Sequence, residues 1–212
     1  MSSYQIIRSD AASLEDLVRI YDPDSGAIRL DLGCGYYKKS GFIGLDNFDG
    51  AMSQVKTESG PDVRIDLVKE RIPFPDDSVT EIFTSHFLEH VPIDVLLVDI
   101  YRVLKPRGAV QIVLPYANSA QGLYPGHLAF YTERFFLENV HFGSLFSIYK
   151  IGWRKTEAFR SLPAHLGLDF GLARQVLFNV CDEFTLFCVP RKDPNIRYDE
   201  IAIEEYTYIK DY

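Results

Sequence analysis

The chain is poor in cysteine: only Cys34, Cys181 and Cys188 occur in 212 residues. Their number is odd and their spacing matches no metal-ligand pattern, so neither a disulfide framework nor a bound metal is expected. The set reads as ordinary buried thiols in a reducing, cytoplasmic setting. No apolar run approaches the roughly 18 residues of a membrane-spanning helix. Met1–Arg8 also lacks the basic start and apolar core of a secretory leader. Positive charge is short as well, with 22 Lys and Arg against 30 Asp and Glu and a net charge of −8. Nucleic-acid affinity comes largely from neutralising phosphates, so this balance argues against a protein that coats a polyanion. The only basic clusters are Lys38-Lys39 and the stretch from Arg102 to Arg107.

What the chain does have is apolar residues, 47% of the total against 25% charged, enough for one sizeable domain spanning 1–212. Its first half alternates short apolar runs with turns or helical segments, the mark of a mainly parallel sheet with crossovers. Strands are expected at Ala27–Leu32, Phe42–Leu45, Val63–Ile65, Glu81–Ser85 and Ala109–Leu114. Between the last two, Pro92–Leu104 repeats its apolar residues with a helical period, and Lys105-Pro106-Arg107-Gly108 is expected to stop that helix. The core for ligand binding is then 27–115. Residues 116–181 supply loops and helices on the substrate side: a long loop over Tyr116–Phe130, a helix over Thr132–Asn139 capped by Thr132, and a helix over Phe170–Phe178. Ser144–Trp153 and Glu183–Val189 read as an antiparallel pair that closes the sheet. The aromatics of Thr156–Val180 either cover a pocket or pack in the core or a dimer contact. The tail, 191–212, has no assigned structure.

The chemistry concentrates in Ile28-Arg29-Leu30-Asp31-Leu32-Gly33-Cys34-Gly35, a strand that runs into an acid and a Gly-x-Gly turn. In an α/β sheet such a turn opens the crevice where nucleotide-like ligands bind. A second run, Phe42-Ile43-Gly44-Leu45, ends in Asp46, and a third ends in Asp66-Leu67. The fourth finishes Phe83-Thr84-Ser85-His86-Phe87-Leu88-Glu89-His90. A carboxylate suits a ribose diol, which offers two donors, and glycine lets main chain approach where a Cβ would collide. Three acids at the ends of three successive strands should converge on one adenosine-sized cleft fronted by Gly33. Any one of them alone would serve as a turn former or cap.

In this order, the motifs resemble those of class I S-adenosylmethionine-dependent methyltransferases, in the methyltransferase-11-like group, over Ala27–Phe136. The resemblance implies a Rossmann-like, mainly parallel sheet with a terminal antiparallel strand pair, and S-adenosyl-L-methionine as cofactor. It implies that Gly33, Cys34 and Gly35 approach the methionine end and Asp31 its ammonium. Asp46 would take the ribose, Asp66 and Leu67 the adenine, and Ser85 and His86 the region of the sulfonium. His127, in a segment similar to one that follows the group's fifth strand, is the candidate base for a hydroxyl or amine acceptor; the alternative is a histidine that pins its loop. Tyr116, Asn118 and Tyr131 are candidate substrate contacts. No metal ligand is expected.

Two features depart from the pattern. Tyr37 stands where a third glycine is usual, and ten residues separate Gly35 from Asp46. That is too short for a crossover helix, so no helix amino terminus is expected to hold the cofactor carboxylate, and Lys38 or Lys39 either replaces it or is solvated. The reading is methyl transfer to an O or N of a small-molecule or sugar-like acceptor, by a monomer or homodimer. Rival readings are a nicotinamide dehydrogenase, a non-catalytic binding module, and methylation of protein or nucleic acid.

Overall fold

A computed structural model describes residues 4–47, 60–163, 166–196 and 200–206. The strands are β1 (Gln5–Ile6), β2 (Ile28–Leu32), β3 (Ile43–Asp46), β4 (Val63–Arg64), β5 (Val79–Ser85), β6 (Leu104–Pro115), β7 (Phe146–Lys155), β8 (Cys181–Pro190) and β9 (Ala202–Tyr206). They form one sheet in the order β1-β4-β3-β2-β5-β6-β8-β7-β9. The five strands from β4 to β6 run parallel, and β8 then pairs antiparallel with both β6 and β7. This is the mainly parallel sheet with a closing antiparallel pair that the alternation of apolar runs led us to expect.

β2 is the middle one of the five parallel strands and is covered on both faces: Leu30 and Leu32 are wholly buried on one, and Asp31 is buried on the other. It is flanked by β3, through Asp31 opposite Gly44, and by β5, through Asp31 opposite Phe83. The chain order reverses between β2 and β5. A crevice therefore opens outside their carboxyl ends, the usual place for a ligand in an open α/β sheet.

The β2–β3 crossover consists of turns with no helix. Gly33, Gly35 and Gly41 all have positive φ. At Gly33 a Cβ would also fall 2.1 Å from the Phe87 ring, so glycine is required twice over. Lys38 is not solvated. Its ammonium is buried 2.8 Å from Asp62, which also accepts the Gly44 N–H at 2.8 Å. Lys39 is half buried and reaches Gln111 at 3.2 Å, over the Phe83 ring.

Of the helices, α1 (Leu14–Tyr21) begins at a Ser13/Asp16 capping box. In α2 (Ile93–Val103), Ile93, Leu96, Leu97, Ile100 and Val103 make the buried stripe its period implies. Lys105–Gly108 does not form a connector after α2. β6 begins at Leu104, and those four residues bulge opposite Thr80 before the ladder resumes at Ala109. The helix expected over Thr132–Asn139 is two short ones, α3 (Glu133–Glu138) and α4 (Val140–Leu145). Thr132 occupies the cap position of α3 but its side chain caps nothing, whereas Asn139 caps α4 through the Phe142 N–H. After α5 (Glu157–Arg160), α6 spans Phe170–Val176, two residues shorter than expected, behind an Asp169 cap. In the tail, β9 pairs parallel with β7, from Lys150 opposite Ala202 to Arg154 opposite Tyr206. Phe136, Phe142, Phe146 and Phe184 are fully buried and pack ring against ring where α3 and α4 meet the sheet.

Candidate active site

Two adjoining cavities occupy the crevice, one of about 870 Å³ and one of about 350 Å³, and Gly33, His86 and His90 line both. The smaller takes Asp46, Asp66 and Leu67 from the ends of β3 and β4. The larger takes Asp31, Cys34, Ser85 and His127, with Lys39, Glu89, Gln111, Arg154, Glu183 and Thr185 around them. The three strand-end acids are thus divided across a partition at Gly33, with Asp31 on one side and Asp46 and Asp66 on the other.

The glycine turn and the acids hold each other. Asp46 Oδ2 accepts the Gly35 N–H at 2.8 Å, and Asp31 Oδ2 accepts the Lys39 N–H at 2.7 Å. Asp31 is 2% exposed, and burial pushes its carboxyl up to about 7 against the pull of the Lys39 N–H and the Lys39 and Lys38 charges. Asp66, paired with Lys69 at 2.7 Å, is held below the usual carboxylate range. The Cys34 thiol is raised by burial, so it is no nucleophile.

His86 ends β5 with φ +52°, a conformation uncommon outside glycine that turns the chain back between the cavities. Burial would lower its pKa, but the Glu183 carboxylate, 3.0 Å from Nε2, and Glu89, 3.6 Å from Nδ1, outweigh that and raise it to about 9. His127 sits in the loop after β6 with its side chain only 5% exposed, and its Nδ1 lies 2.8 Å from the Gly122 carbonyl. His127 therefore pins its loop, and it also lines the larger cavity.

Tyr116, Asn118 and Tyr131 are not among the residues lining either cavity. Tyr116 and Tyr131 are buried core residues that pack on Phe184 and Phe136 respectively, and Asn118 holds the Leu177 carbonyl at 2.7 Å. Nor does any described residue of Thr156–Val180 line these cavities. Phe170 packs against Phe159 instead.

Residues 30–112 match the family model described as a methyltransferase domain. Over those residues the chain is similar to methyltransferase domains, and its sheet has the Rossmann-like fold of class I S-adenosylmethionine-dependent methyltransferases. A SAM-dependent methyltransferase from Archaeoglobus fulgidus superposes with a TM-score of 0.59 at 20% identity, over 83% of this chain and 92% of that one. The YcgJ protein of Bacillus subtilis does so at 0.52 and 16%, over 84% and 97%. A chain from the complex between the Haloferax volcanii Trm112 methyltransferase activator and a methyltransferase gives 0.52 at 16%, over 80% and 84%. At such identities these likenesses show the fold. No curated protein shows significant similarity to the chain.

Two further buried acids that the sequence does not single out line the larger cavity. Glu89 and Glu183 are the most buried acids of the larger cavity apart from Asp31, at 0% and 4% exposure. Glu89 stood in the quoted strand-four motif, one residue before His90, and that was its signal. Glu183 carried none, because β8 reaches the cavity only through its pairing with β6. Among the described residues, no helix is long and apolar enough to cross a membrane.

Proposed function

We propose that this methyltransferase methylates a hydroxyl or amine of a small-molecule or sugar-like acceptor, hydroxyl preferred. The observation that carries this reading is the larger cavity. Its roughly 870 Å³ lies within the range of small-molecule sites, and it joins the smaller cavity at Gly33 and His86. The net charge of −8 supports a small acceptor over a nucleic acid. A cytoplasmic monomer or homodimer remains part of the proposal.

Each cavity suits one part of S-adenosylmethionine. The smaller offers Asp46 for the ribose diol and Asp66 with Leu67 for the adenine. The larger offers buried Asp31 for the ammonium, and Gly33 to Gly35 let the main chain come close. Lys39, half buried and lowered in pKa by that burial, is the cation available to the carboxylate. Ser85 and His86 border the remaining space.

S-adenosylmethionine supplies an activated methyl group on a sulfonium. The protein has to align the acceptor with it, exclude water and accept a proton. His127 is placed for the last task. The Gly122 carbonyl can only accept, so in the neutral ring Nδ1 carries the proton and Nε2 is left as a bare lone pair. His127→Ala should abolish turnover while S-adenosylhomocysteine affinity, read by calorimetry, is kept. Turnover at the wild-type rate would remove His127 from the reaction. Acceptors are found by screening hydroxyl and amine compounds for S-adenosylhomocysteine release.

A further inference from the structure

Glu89, His90 and His127 bring one carboxylate and two imidazoles together, with a ligand atom from each lying within 4.8 Å of the others. Glu89 and His90 belong to the short turn after β5. His127 arrives from the loop after β6, whose Leu128 N–H is fixed on the Glu89 carbonyl at 2.7 Å. The two rings meet edge to face, 4.7 Å apart.

The protonation pattern is what makes this cluster unusual. His127 Nδ1 lies 2.8 Å from the Gly122 carbonyl and His90 Nδ1 lies 3.2 Å from the Gly126 carbonyl. Each carbonyl needs a proton on Nδ1, so each neutral ring presents a bare Nε2. Both Nε2 atoms face Glu89 Oε1, at 3.9 and 4.0 Å. Glu89 itself is wholly buried, and among the described residues neither of its carboxylate oxygens has a hydrogen-bond partner. A buried carboxylate without a hydrogen-bond donor is costly, and two neutral rings that turn lone pairs towards it add to the cost. His86 Nδ1, 3.6 Å away, offsets the Glu89 charge in part but is too far to donate a hydrogen bond, and its Nε2 is held by Glu183.

The geometry points to a divalent transition-metal cation of the zinc type, bound by Glu89, His90 and His127. Two histidines and one glutamate form a recognised catalytic set that leaves one position open. At ligand lengths of about 2.0–2.2 Å, tetrahedral ligand atoms lie about 3.3–3.6 Å apart, so the pairs at 3.9 and 4.0 Å would draw in by a few tenths of an ångström around the cation. Backbone carbonyls on the far nitrogens are the outer partners that orient ligating histidines. Because all three residues line the larger cavity, the open position faces the acceptor space. Resting on the proposed methyl transfer, the cation's role is to bind the acceptor hydroxyl and lower its pKa. The O–H proton passes to solvent, the oxygen forms the new O–CH3 bond as the S–CH3 bond breaks, and the metal keeps its charge. The two uses of His127 Nε2 are alternatives: in the metal-free protein its lone pair is the base proposed above, and with the cation bound it is a ligand while the cation lowers the hydroxyl pKa.

The test is equilibrium dialysis of untagged, chelator-treated protein against zinc alone, with bound metal counted per chain. The inference expects one zinc per chain. Glu89→Gln and His127→Ala should lose more than the roughly 10–100-fold that a missing outer partner costs, and His141→Ala, an exposed histidine, should change nothing. X-ray absorption on the zinc-loaded wild type should show two imidazole nitrogens and no sulfur. No bound zinc, undiminished binding in Glu89→Gln and His127→Ala, or a sulfur-containing shell would each overturn the site. S-adenosylhomocysteine binding to the metal-free protein, measured alongside, separates failure of this site from failure of the proposed methyl transfer.

Discussion

Asp46 Oδ2 accepts the Gly35 N–H at 2.8 Å, so the acid that closes β3 also fixes the turn that closes β2. A side chain with that double duty affects both the shape and the charge of the smaller cavity. Asp46→Ala is expected to weaken S-adenosylhomocysteine binding by about 10–100-fold, the range for hydrogen bonds to a charged group. Calorimetry reads this directly. Asp46→Asn, which keeps an acceptor for Gly35, should retain part of the loss and restore part of the affinity.

Gly33→Ala should be damaging for reasons unrelated to charge. The residue has φ +68°, which costs roughly 1–2 kcal/mol for an L side chain. Its new methyl would also strike the Phe87 ring. A lower Tm and lost cofactor binding are expected, and Phe87→Ala in the same chain should recover part of the binding. No recovery would mean that the backbone conformation alone matters.

Affinity for the cofactor should fall in acid. Burial raises Asp31 to about 7 in the free protein, and a bound ammonium favours its ionised form. Above pH 7 the carboxylate is already charged and binding is at its full strength. Below pH 7 a proton must first leave, so affinity drops by up to about tenfold per pH unit. S-adenosylhomocysteine titrations from pH 5.5 to 8 check the slope. Asp31→Asn should bind more weakly with a flat profile, and an unchanged slope in that variant would exclude Asp31.

The buried Lys38–Asp62 pair gives an asymmetric stability prediction. Asp62→Ala strands the Lys38 ammonium, at a cost of about 3–5 kcal/mol. Lys38→Met should cost less, because Asp62 keeps the Gly44 N–H at 2.8 Å and the Tyr21 hydroxyl at 2.9 Å. Denaturant unfolding of the two variants compares them. Equal losses would contradict the asymmetry.

Much of this was legible in the sequence where the information is local. The β2 run, its glycine turn and the acids at the ends of β2 and β3 and beyond β4 follow from period and turn chemistry, and the missing crossover helix follows from length. Pairings distant in sequence were not legible. Nothing in 200–206 marks it as a strand without β7 to pair with. Lys105–Gly108 reads as a connector until Thr80 is seen opposite it. Tyr116 and Tyr131 lie after the fifth parallel strand as pocket residues do, but Phe184 and Phe136 draw them into the core. Likewise Glu89 becomes conspicuous only when the loop after β6 lays His127 over it.

The central claim is that Asp31, Asp46 and Asp66, divided at Gly33, bind one cofactor across both cavities. Calorimetric titration of the folded wild-type protein with S-adenosylhomocysteine tests it most directly. The account predicts one molecule bound per chain, with binding lost in an Asp31→Ala/Asp46→Ala double variant that remains folded. Absence of binding at high micromolar ligand, or undiminished binding in that variant, would contradict it.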